Sequence, residues 1–341
     1  MTMDTAPPSG ANIAHFPTLD AAKLLQRDEG EIQNLLQACK TYGFFSLNLA
    51  TTETSYMIDA WNDVLAFMDA YFDQPSEVKL KDERHSDIHG YEPCGTSTGA
   101  TDERLDHYES LKVCLQISFT ECKCRSENLA PALKQNLPLF ETFIGGAHRL
   151  VMTLLECLTQ ALGNQIPAPL ESFHDESQPT TSTMAMFRYP RQTEEEAAKG
   201  VGHNKHTDIG TFTFLLCRQW GLQVLSPVEN KWLYVAPKKD HAIINVGDSL
   251  RFLTGNRLLS AVHRVLPFTH RQLEHRHSIA FFLRPADNTV YRDSKNRLVT
   301  ARSWHDEKFD HFRASHEKQS AECILTGGME RSDRIVAFPS A

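Results

Sequence analysis

Two histidines and one aspartate have the types and the order of a metal-ligand set. His206 and Asp208 lie two residues apart, and His263 follows much later in the chain. Two imidazoles and one carboxylate suit Fe(II), because they occupy one face of an octahedron and leave three positions for other ligands. Such open positions are typical of a catalytic metal site rather than of a closed structural one. We therefore predict that His206, Asp208 and His263 bind iron.

The residues around each motif help to distinguish a metal site from a chance occurrence of the His-x-Asp spacing. The chain contains 16 histidines, and a histidine on an apolar strand is more often a packed core residue. The His-x-Asp spacing also occurs in His85-Ser86-Asp87, which we interpret as a solvated loop because it lies in a charged, glycine-rich stretch. His206-Thr207-Asp208, by contrast, precedes an apolar strand-like run, and His263 lies within Ala261-Val262-His263-Arg264-Val265. These flanks favour the metal site.

A cation and a hydroxyl lie two residues apart in the next predicted strand. Because side chains alternate along a strand, Arg276 and Ser278 share one face with Ala280 and Phe282. A guanidinium gives bidentate hydrogen bonds to a carboxylate, and a neighbouring hydroxyl adds a third. Tyr189 could donate a phenolic hydrogen bond to the same group. The alternative is an edge strand whose arginine and serine face water.

The elements that must position these residues are helices first and strands later. Apolar residues recur at helical spacing in four segments, the third of which has a break near Pro138. We predict helices over 18–42, 52–72, 130–162 and 306–313. We predict strands over 44–47, 184–189, 207–216, 223–225, 232–235, 242–246, 258–266 and 277–283. Short strands at such intervals indicate a sandwich or jelly roll.

Two local expectations follow from these elements. We expect His206 and Asp208 to point the same way on one strand, because residues two apart share a face. The stretch 84–109 is rich in Gly, Thr, Ser and Asp and indicates a long loop or lid. We expect it to cover the site together with the C-terminal helix.

Composition limits the classes of function. The 341-residue chain has a formal net charge of -8, which argues against a general nucleic-acid binder. We find no membrane-spanning run and no secretory signal, so we expect no membrane partner. The eight cysteines are scattered, and the one close pair, Cys122-Lys123-Cys124, lacks a companion with zinc-ligand spacing. We interpret all eight as reduced thiols of a cytoplasmic protein.

Several segments together resemble one enzyme family. The likeness covers residues 13–313. The segments that carry it are 38–45, Gly90-Tyr91, Arg188-Tyr189-Pro190, His206-Thr207-Asp208, 221–224, 245–248, His263-Arg264-Val265 and 276–283. With these segments the chain resembles the isopenicillin N synthase-like branch of the Fe(II)/2-oxoglutarate-dependent dioxygenases, in particular fungal members, many of which act in secondary metabolism.

The resemblance implies a mainly β fold with α-helices, whose core is a double-stranded β-helix, a distorted jelly roll, surrounded by N-terminal and C-terminal helices. It implies that the three predicted ligands hold Fe(II), and that Arg276, Ser278 and Tyr189 hold the distal carboxylate of 2-oxoglutarate. One departure is Phe187-Arg188-Tyr189-Pro190, where the family often has Asn-Tyr-Tyr-Pro. A phenyl ring there replaces an amide in the pocket wall.

The resemblance also implies the reaction. Fe(II), 2-oxoglutarate and O2, with ascorbate as a possible aid, oxidise a C–H bond of a small organic substrate and yield succinate and CO2. Hydroxylation, desaturation, cyclisation and ring rearrangement all remain open. We expect Phe187, Phe282 and Tyr91 to line the substrate pocket.

Two alternatives remain open, and a third has little support. An isopenicillin N synthase-type oxidase would use iron without 2-oxoglutarate, and a jelly-roll binding protein would hold zinc or nickel structurally. A nicotinamide dehydrogenase has little support, because Gly200-Val201-Gly202 lacks a third glycine and a strand-helix context.

We expect one folded unit with four parts and no obligate protein partner. The parts are a disordered N-terminus (1–12), a mostly helical region (13–180), the oxygenase core (181–290) and a C-terminal extension with a helix (291–341).

Overall fold

The computed structural model describes residues 10–99, 104–115 and 129–329, so the Cys122-Cys124 pair lies outside the described ranges. In these ranges helices α1 to α10 span Ala21–Leu25, Glu29–Thr41, Tyr56–Phe72, Ser76–Lys79, Pro131–Gln135, Leu137–Leu162, Glu194–Lys199, Asp248–Leu253, Ala301–Phe312 and His316–Ala321. Strands β1 to β14 span Thr18–Asp20, Phe44–Asn48, Gly90–Glu92, Glu109–Cys114, Thr183–Tyr189, His203–His206, Phe212–Cys217, Leu222–Leu225, Trp232–Tyr234, His241–Val246, His263–Val265, Arg276–Leu283, Val290–Arg292 and Leu298–Thr300.

Two sheets of the described residues carry the predicted site. The larger has eight strands in the order β1-β2-β10-β7-β12-β5-β4-β3, and the smaller has the order β6-β11-β8-β9. In the smaller sheet His206 lies opposite His263. In the larger sheet Arg276 lies opposite Tyr189, since β12 pairs with β5. Strand register therefore brings together residues that are far apart in the chain.

The larger sheet is apolar on both faces. On β10, Ile244 belongs to the main core, which contains side chains of α2, α3 and α6. Its neighbour Ile243 belongs instead to a second core that also contains Val224 and Val265 of the smaller sheet. Side chains of one strand thus alternate between a helix layer and a sheet-to-sheet layer. This is the predicted jelly roll covered by helices.

The first predicted helix is interrupted. The Asp20 side chain caps α1, and the chain then breaks where Arg27 adopts a φ of 61°. The Asp28 side chain caps α2 by accepting a hydrogen bond from the Glu31 amide. At the far end Gly43 has a φ of +66°, and a Cβ there would lie 2.1 Å from the Leu259 carbonyl oxygen. Glycine is therefore required at the turn from α2 into β2.

Other predicted helices differ mainly in their ends. The break near Pro138 is confirmed, because Asn136 separates α5 from α6 and Pro138 occupies the first turn of α6. The C-terminal helix α9 begins five residues earlier than predicted, since Thr300 and Ser303 form a capping box at its start. No helix of the described ranges has the length and apolarity needed to cross a membrane.

The predicted strand over 207–216 is wrong at its beginning. β6 ends at His206, and β7 starts only at Phe212. Between them the chain passes from the smaller to the larger sheet, and Gly210 packs so closely on β12 that a Cβ would lie 2.1 Å from the Leu283 carbonyl oxygen. Asp208 therefore lies in a turn rather than on the strand of His206. The strand predicted over 258–266 is likewise shorter, with only β11 paired.

The stretch predicted as a long loop is partly strand and contacts the C-terminal helix. It contains β3 and the start of β4. The Asp106 carboxylate accepts hydrogen bonds from the Gly95 and Ser97 amides, which closes the loop on itself. Thr98 then donates its amide to the carbonyl of Phe312, at the end of α9. The two predicted parts of the cover are therefore in contact.

Candidate metal centre and its two cavities

The three predicted ligands converge on one point. The Nε2 atoms of His206 and His263 each lie 3.5 Å from Oδ1 of Asp208. One ligand atom from each residue lies within 4.8 Å of the others, and all three residues are buried. In the described ranges this is the single such group of histidine, cysteine and carboxylate side chains, so His85-Ser86-Asp87 forms none.

The hydrogen bonds of the two histidines fix which nitrogen is free. Nδ1 of His206 lies 2.7 Å from the Asn204 carbonyl oxygen, and Nδ1 of His263 lies 3.2 Å from that of Ala261. A carbonyl can only accept, so each Nδ1 donates and each Nε2 presents a lone pair to Asp208. Three acceptor atoms that face one another are stabilised by a cation between them. The donor set therefore fits a divalent metal.

The second oxygen of Asp208 is held by the larger sheet. Oδ2 accepts hydrogen bonds from the Thr213 hydroxyl at 2.5 Å and from the Asn245 amide at 2.7 Å. Thr213 lies on β7 and Asn245 on the neighbouring β10. These bonds orient Oδ1 toward the two imidazoles, although Asp208 itself lies in a turn.

The protonation states are those of metal ligands. Burial alone would raise the pKa of Asp208, but His263 and His206 outweigh it and hold that pKa well below the usual range. Burial, and then the adjacent His263, lowers the pKa of His206. At neutral pH the carboxylate is therefore ionised and His206 is neutral.

Arg276 is a buried cation whose charge is not balanced by a carboxylate in the described ranges. It is 1% exposed, its Nε donates to the Trp220 carbonyl at 2.9 Å, and its Nη1 has no partner. The guanidinium lies 4.9 Å from the ring centre of Tyr189. Gly221 leaves room for it, since a Cβ there would lie 3.0 Å from the Arg276 Nε. The arrangement fits a bound carboxylate.

Two cavities meet at two of the three predicted ligands, His206 and Asp208. The first, called the anchor cavity, is lined by Tyr189, Leu222, Asn245, His263, Arg276 and Ser278. The second, called the aromatic cavity, is lined by Tyr108, Lys112, Thr183, Arg284, Phe309 and Phe312. Both cavities include Phe187, His203, His206, Asp208 and Phe282. The ligand group therefore lies between a site for one carboxylate and a mostly apolar space.

The structure places two of the three predicted pocket residues at the cavities. Phe187 and Phe282 line both. Tyr91 lines neither; its hydroxyl donates to Glu109 at 2.6 Å, and its ring packs against Tyr71. The reason is that neighbouring residues of β3 face opposite sides of the sheet, so Glu92 lines the aromatic cavity whereas Tyr91 packs into the main core.

Sequence reasoning missed two residues beside the ligands. His203 stacks on His206 with ring centres 4.7 Å apart, and its spacing in His203-Asn204-Lys205-His206 was a usable signal. Lys308 of α9 is completely buried and donates to the Thr207 carbonyl at 2.6 Å and to Asp248 at 2.5 Å. Nothing in the sequence around Lys308 distinguishes it from a surface lysine.

Comparison with known proteins agrees with this geometry. Residues 180–285 match the 2OG-Fe(II) oxygenase superfamily, and residues 16–132 match the family described as non-haem dioxygenase in morphine synthesis N-terminal. The 2-oxoglutarate-dependent dioxygenase frbH of Dothideomycetidae sp. (strain 11243) is 49% identical over 318 residues, covering 93% of this chain and 97% of that protein. Oxidoreductase vrtI of Penicillium aethiopicum is 50% identical over 323 residues, covering 94% and 76%.

A solved structure supports the fold. A putative 2OG-Fe(II) oxygenase family protein from Caulobacter crescentus superposes with a TM-score of 0.68 at 22% identity, covering 88% of this chain and 99% of that one. The relatives at about half identity cover nearly the whole chain. The chain belongs to the superfamily of 2-oxoglutarate- and Fe(II)-dependent oxygenases.

Proposed function

We propose that His206, Asp208 and His263 hold the iron of this oxygenase, and that Arg276, Ser278 and Tyr189 hold the distal carboxylate of 2-oxoglutarate. The proposal rests on two groups at opposite ends of the anchor cavity, each of which lacks a binding partner. Three lone-pair atoms face one another at one end. The unpartnered Nη1 of Arg276 lies at the other end. A metal ion would be the partner of the lone-pair atoms, and a carboxylate would be the partner of Arg276.

The chain's own part in the reaction is to orient and to exclude water. Iron with 2-oxoglutarate and O2 supplies the oxidising power, with succinate and CO2 as products. Asp208 is held in place by Thr213 and Asn245, so its free oxygen keeps its direction. Phe187 and Phe282 separate the two cavities beside the ligands and keep the space there apolar.

We assign a small organic substrate to the aromatic cavity and secondary metabolism as the setting. The support is the similarity to named fungal dioxygenases, such as gloE of Glarea lozoyensis at 40% identity. Oxidation of a C–H bond by hydroxylation, desaturation, cyclisation or ring rearrangement is compatible with this site. We place the protein in the cytoplasm, because the six cysteines of the described ranges are reduced thiols.

Anaerobic titration of the Fe(II)-loaded protein with 2-oxoglutarate, followed by visible absorption, tests the assignment. We expect a weak metal-to-ligand band in the wild type that is lost in His206→Ala. When O2 is then admitted, the wild type should release succinate, and His206→Ala should not. An isopenicillin N synthase-type oxidase would show neither the band nor succinate. If His206→Ala kept bound iron and full succinate production, the ligand assignment would be wrong.

A further inference from the structure

A second buried arginine lines the aromatic cavity. Arg284 follows β12 directly and is 5% exposed. It is eight residues from Arg276, so the two arginines lie on the same face of one extended segment. Arg276 lines the anchor cavity and Arg284 the aromatic cavity, and the metal-ligand group lies between the cavities. The aromatic cavity therefore contains a buried arginine, as the anchor cavity does at the end proposed to bind a carboxylate.

Arg284 lacks a carboxylate partner in the part of the chain that the structure describes. Its Nη1 donates to the Thr181 carbonyl, and its Nε is buried without a hydrogen-bond partner. The other cation of this cavity, Lys112, is paired with Glu92 at 2.7 Å. Arg284 is thus the cavity cation whose charge is not balanced by an ion pair.

The carboxylates nearest to Arg284 are already engaged. Asp208, Asp87 and Asp287 act on it electrostatically without a direct ion pair. Asp208 faces the two histidines, Asp87 pairs with Arg313, and Asp287 lies 3.7 Å from Arg302. A buried cation without a counter-charge is unfavourable, so its retention in a cavity points to a ligand that brings the counter-charge. Burial lowers the pKa of Arg284 to about 10, which still leaves the group protonated at neutral pH.

The remaining cavity wall defines the rest of the ligand. Phe187, Phe282, Phe309 and Phe312 surround the space beside the iron ligands. These rings favour an apolar body. The other charged residues at the wall form ion pairs of their own, so a single negative charge on the ligand balances the cavity, whereas a dianion would leave one charge unpaired.

We propose that Arg284 is the specificity-determining residue for substrate, and that the substrate is an apolar molecule with one carboxylate, which the Arg284 guanidinium binds while a C–H bond faces the iron site. This inference rests on the proposed function, since it uses the iron as the reacting end of the cavity. The carboxylate of the substrate would bind at one end of the cavity, and the phenylalanine side chains would hold the apolar body.

A panel of paired probes tests the proposal. The probes are 3-phenylpropanoate, cinnamate, octanoate and indole-3-propanoate, each compared with its primary amide. Binding is followed by the shift of the metal-to-ligand band and by thermal unfolding, under anaerobic conditions with Fe(II) and with 2-oxoglutarate saturating, so that Arg276 is occupied. We expect at least one acid to bind about tenfold to a hundredfold more tightly than its amide.

Three variants separate Arg284 from a general charge effect. Arg284→Gln should remove the preference for acid over amide, and Arg284→Lys should keep part of it, because the charge remains without the planar fork. The double variant Lys112→Gln/Glu92→Gln removes a cation together with its partner and should keep the preference. The proposal is overturned if no acid binds better than its amide, if Arg284→Gln keeps the preference, or if the double variant alone loses it.

The 2-oxoglutarate band makes the two levels of failure distinguishable. This band requires the iron and the anchor cavity but no substrate. If wild type gives no band on addition of 2-oxoglutarate, the proposed function itself fails. If the band forms but the acids show no preference that depends on Arg284, only the substrate class is wrong.

Discussion

Asp208 uses its two oxygens for two different purposes. Oδ1 faces the imidazoles, while Oδ2 is fixed by Thr213 and Asn245. A carboxylate in a turn would otherwise rotate, because no strand constrains it. The rigidity that a strand would have given to a His-x-Asp pair is supplied here by two polar side chains of the larger sheet. Metal affinity should therefore depend on residues that do not touch the metal.

We expect Thr213→Val and Asn245→Ala each to weaken Fe(II) binding by about tenfold to a hundredfold, because Asp208 loses one of its orienting bonds. Anaerobic metal titration monitored by calorimetry measures the change. Thr211→Val is the matched control, since Thr211 is also buried but its hydroxyl bonds the Leu283 carbonyl and the His174 ring instead of Asp208. Equal losses in Thr213→Val and Thr211→Val would contradict the orienting role.

We expect Arg276→Gln to raise the 2-oxoglutarate concentration needed for half-saturation by about tenfold to a hundredfold, because a neutral amide replaces the positively charged, bidentate donor of the carboxylate. Titration of the metal-to-ligand band measures it. The half-saturation concentration of Arg276→Lys should lie between those of wild type and Arg276→Gln, because lysine keeps the positive charge but lacks the planar, bidentate guanidinium. Arg218→Gln, at an arginine of the surface, is the control. An unchanged half-saturation in Arg276→Gln would exclude the anchor.

Among single residues, the sequence predicted those that residue type and spacing are sufficient to identify. The three converging ligands and the cation of the anchor cavity are of this kind. Asn245 could not be predicted as the partner of Asp208, because 37 residues separate them and only the pairing of β10 with β7 brings them together. Tyr91 was misplaced because the sequence does not show which face of β3 is turned toward the cavity; its neighbour Glu92 lines the cavity instead.

Among the secondary-structure elements, helix α9 is joined to the metal-ligand region by one side chain, Lys308. Lys308 and Asp248 are both completely buried and lie 2.5 Å apart, and Lys308 also donates to Thr207, the residue between two ligands. Burial, which alone would raise the pKa of Asp248, is outweighed by Lys308 and Arg251, so that pKa lies below the usual range. The helix is thereby fixed to the turn that carries Asp208.

We expect Lys308→Met to lower the free energy of unfolding by about 3–5 kcal/mol, because it leaves the carboxylate of Asp248 buried without its main counter-charge. Urea denaturation measures the loss. Lys318→Met, in the exposed helix α10, should change stability by less than about 0.5 kcal/mol. A loss in Lys308→Met no larger than that of Lys318→Met would show that the pair does not stabilise the fold.

The sequence predicted element types better than element ends. The helix over 130–162 was found with its break, because a proline marks it. The run 207–216 was predicted as one strand, because its apolar alternation continues through a turn. Its Gly210 was a sign of close packing, but the partner, the Leu283 carbonyl, is 73 residues away. Close approach between distant backbones leaves no local pattern.

At the scale of the whole molecule, buried neutral histidines limit stability in acid. Burial lowers the pKa of His174 to about 3 and that of His277 to about 4, from an ordinary value of 6.5. Below about pH 6.5 the unfolded chain therefore binds protons that the folded chain does not. Stability is present in full above that pH and falls as the pH drops toward the folded pKa values.

We expect the free energy of unfolding to decline below about pH 6, and the decline to be shallower by about 1.4 kcal/mol per pH unit in His174→Gln. Denaturant unfolding at several pH values between about 6 and 4.5 measures the slopes. His85→Gln serves as the control, because the His85 side chain is 85% exposed. If His174→Gln and wild type showed the same slope, His174 would not be a neutral buried group.

The contact between Lys308 and Thr207 also has a consequence for the order of events during synthesis. A nascent chain that has emerged from the ribosome as far as β12 already contains all three residues of the ligand group. It does not yet contain the lysine that fixes the turn between His206 and Asp208. The ligands are therefore made well before the turn is held in its final place, and a tight metal site is completed only after translation has passed α9.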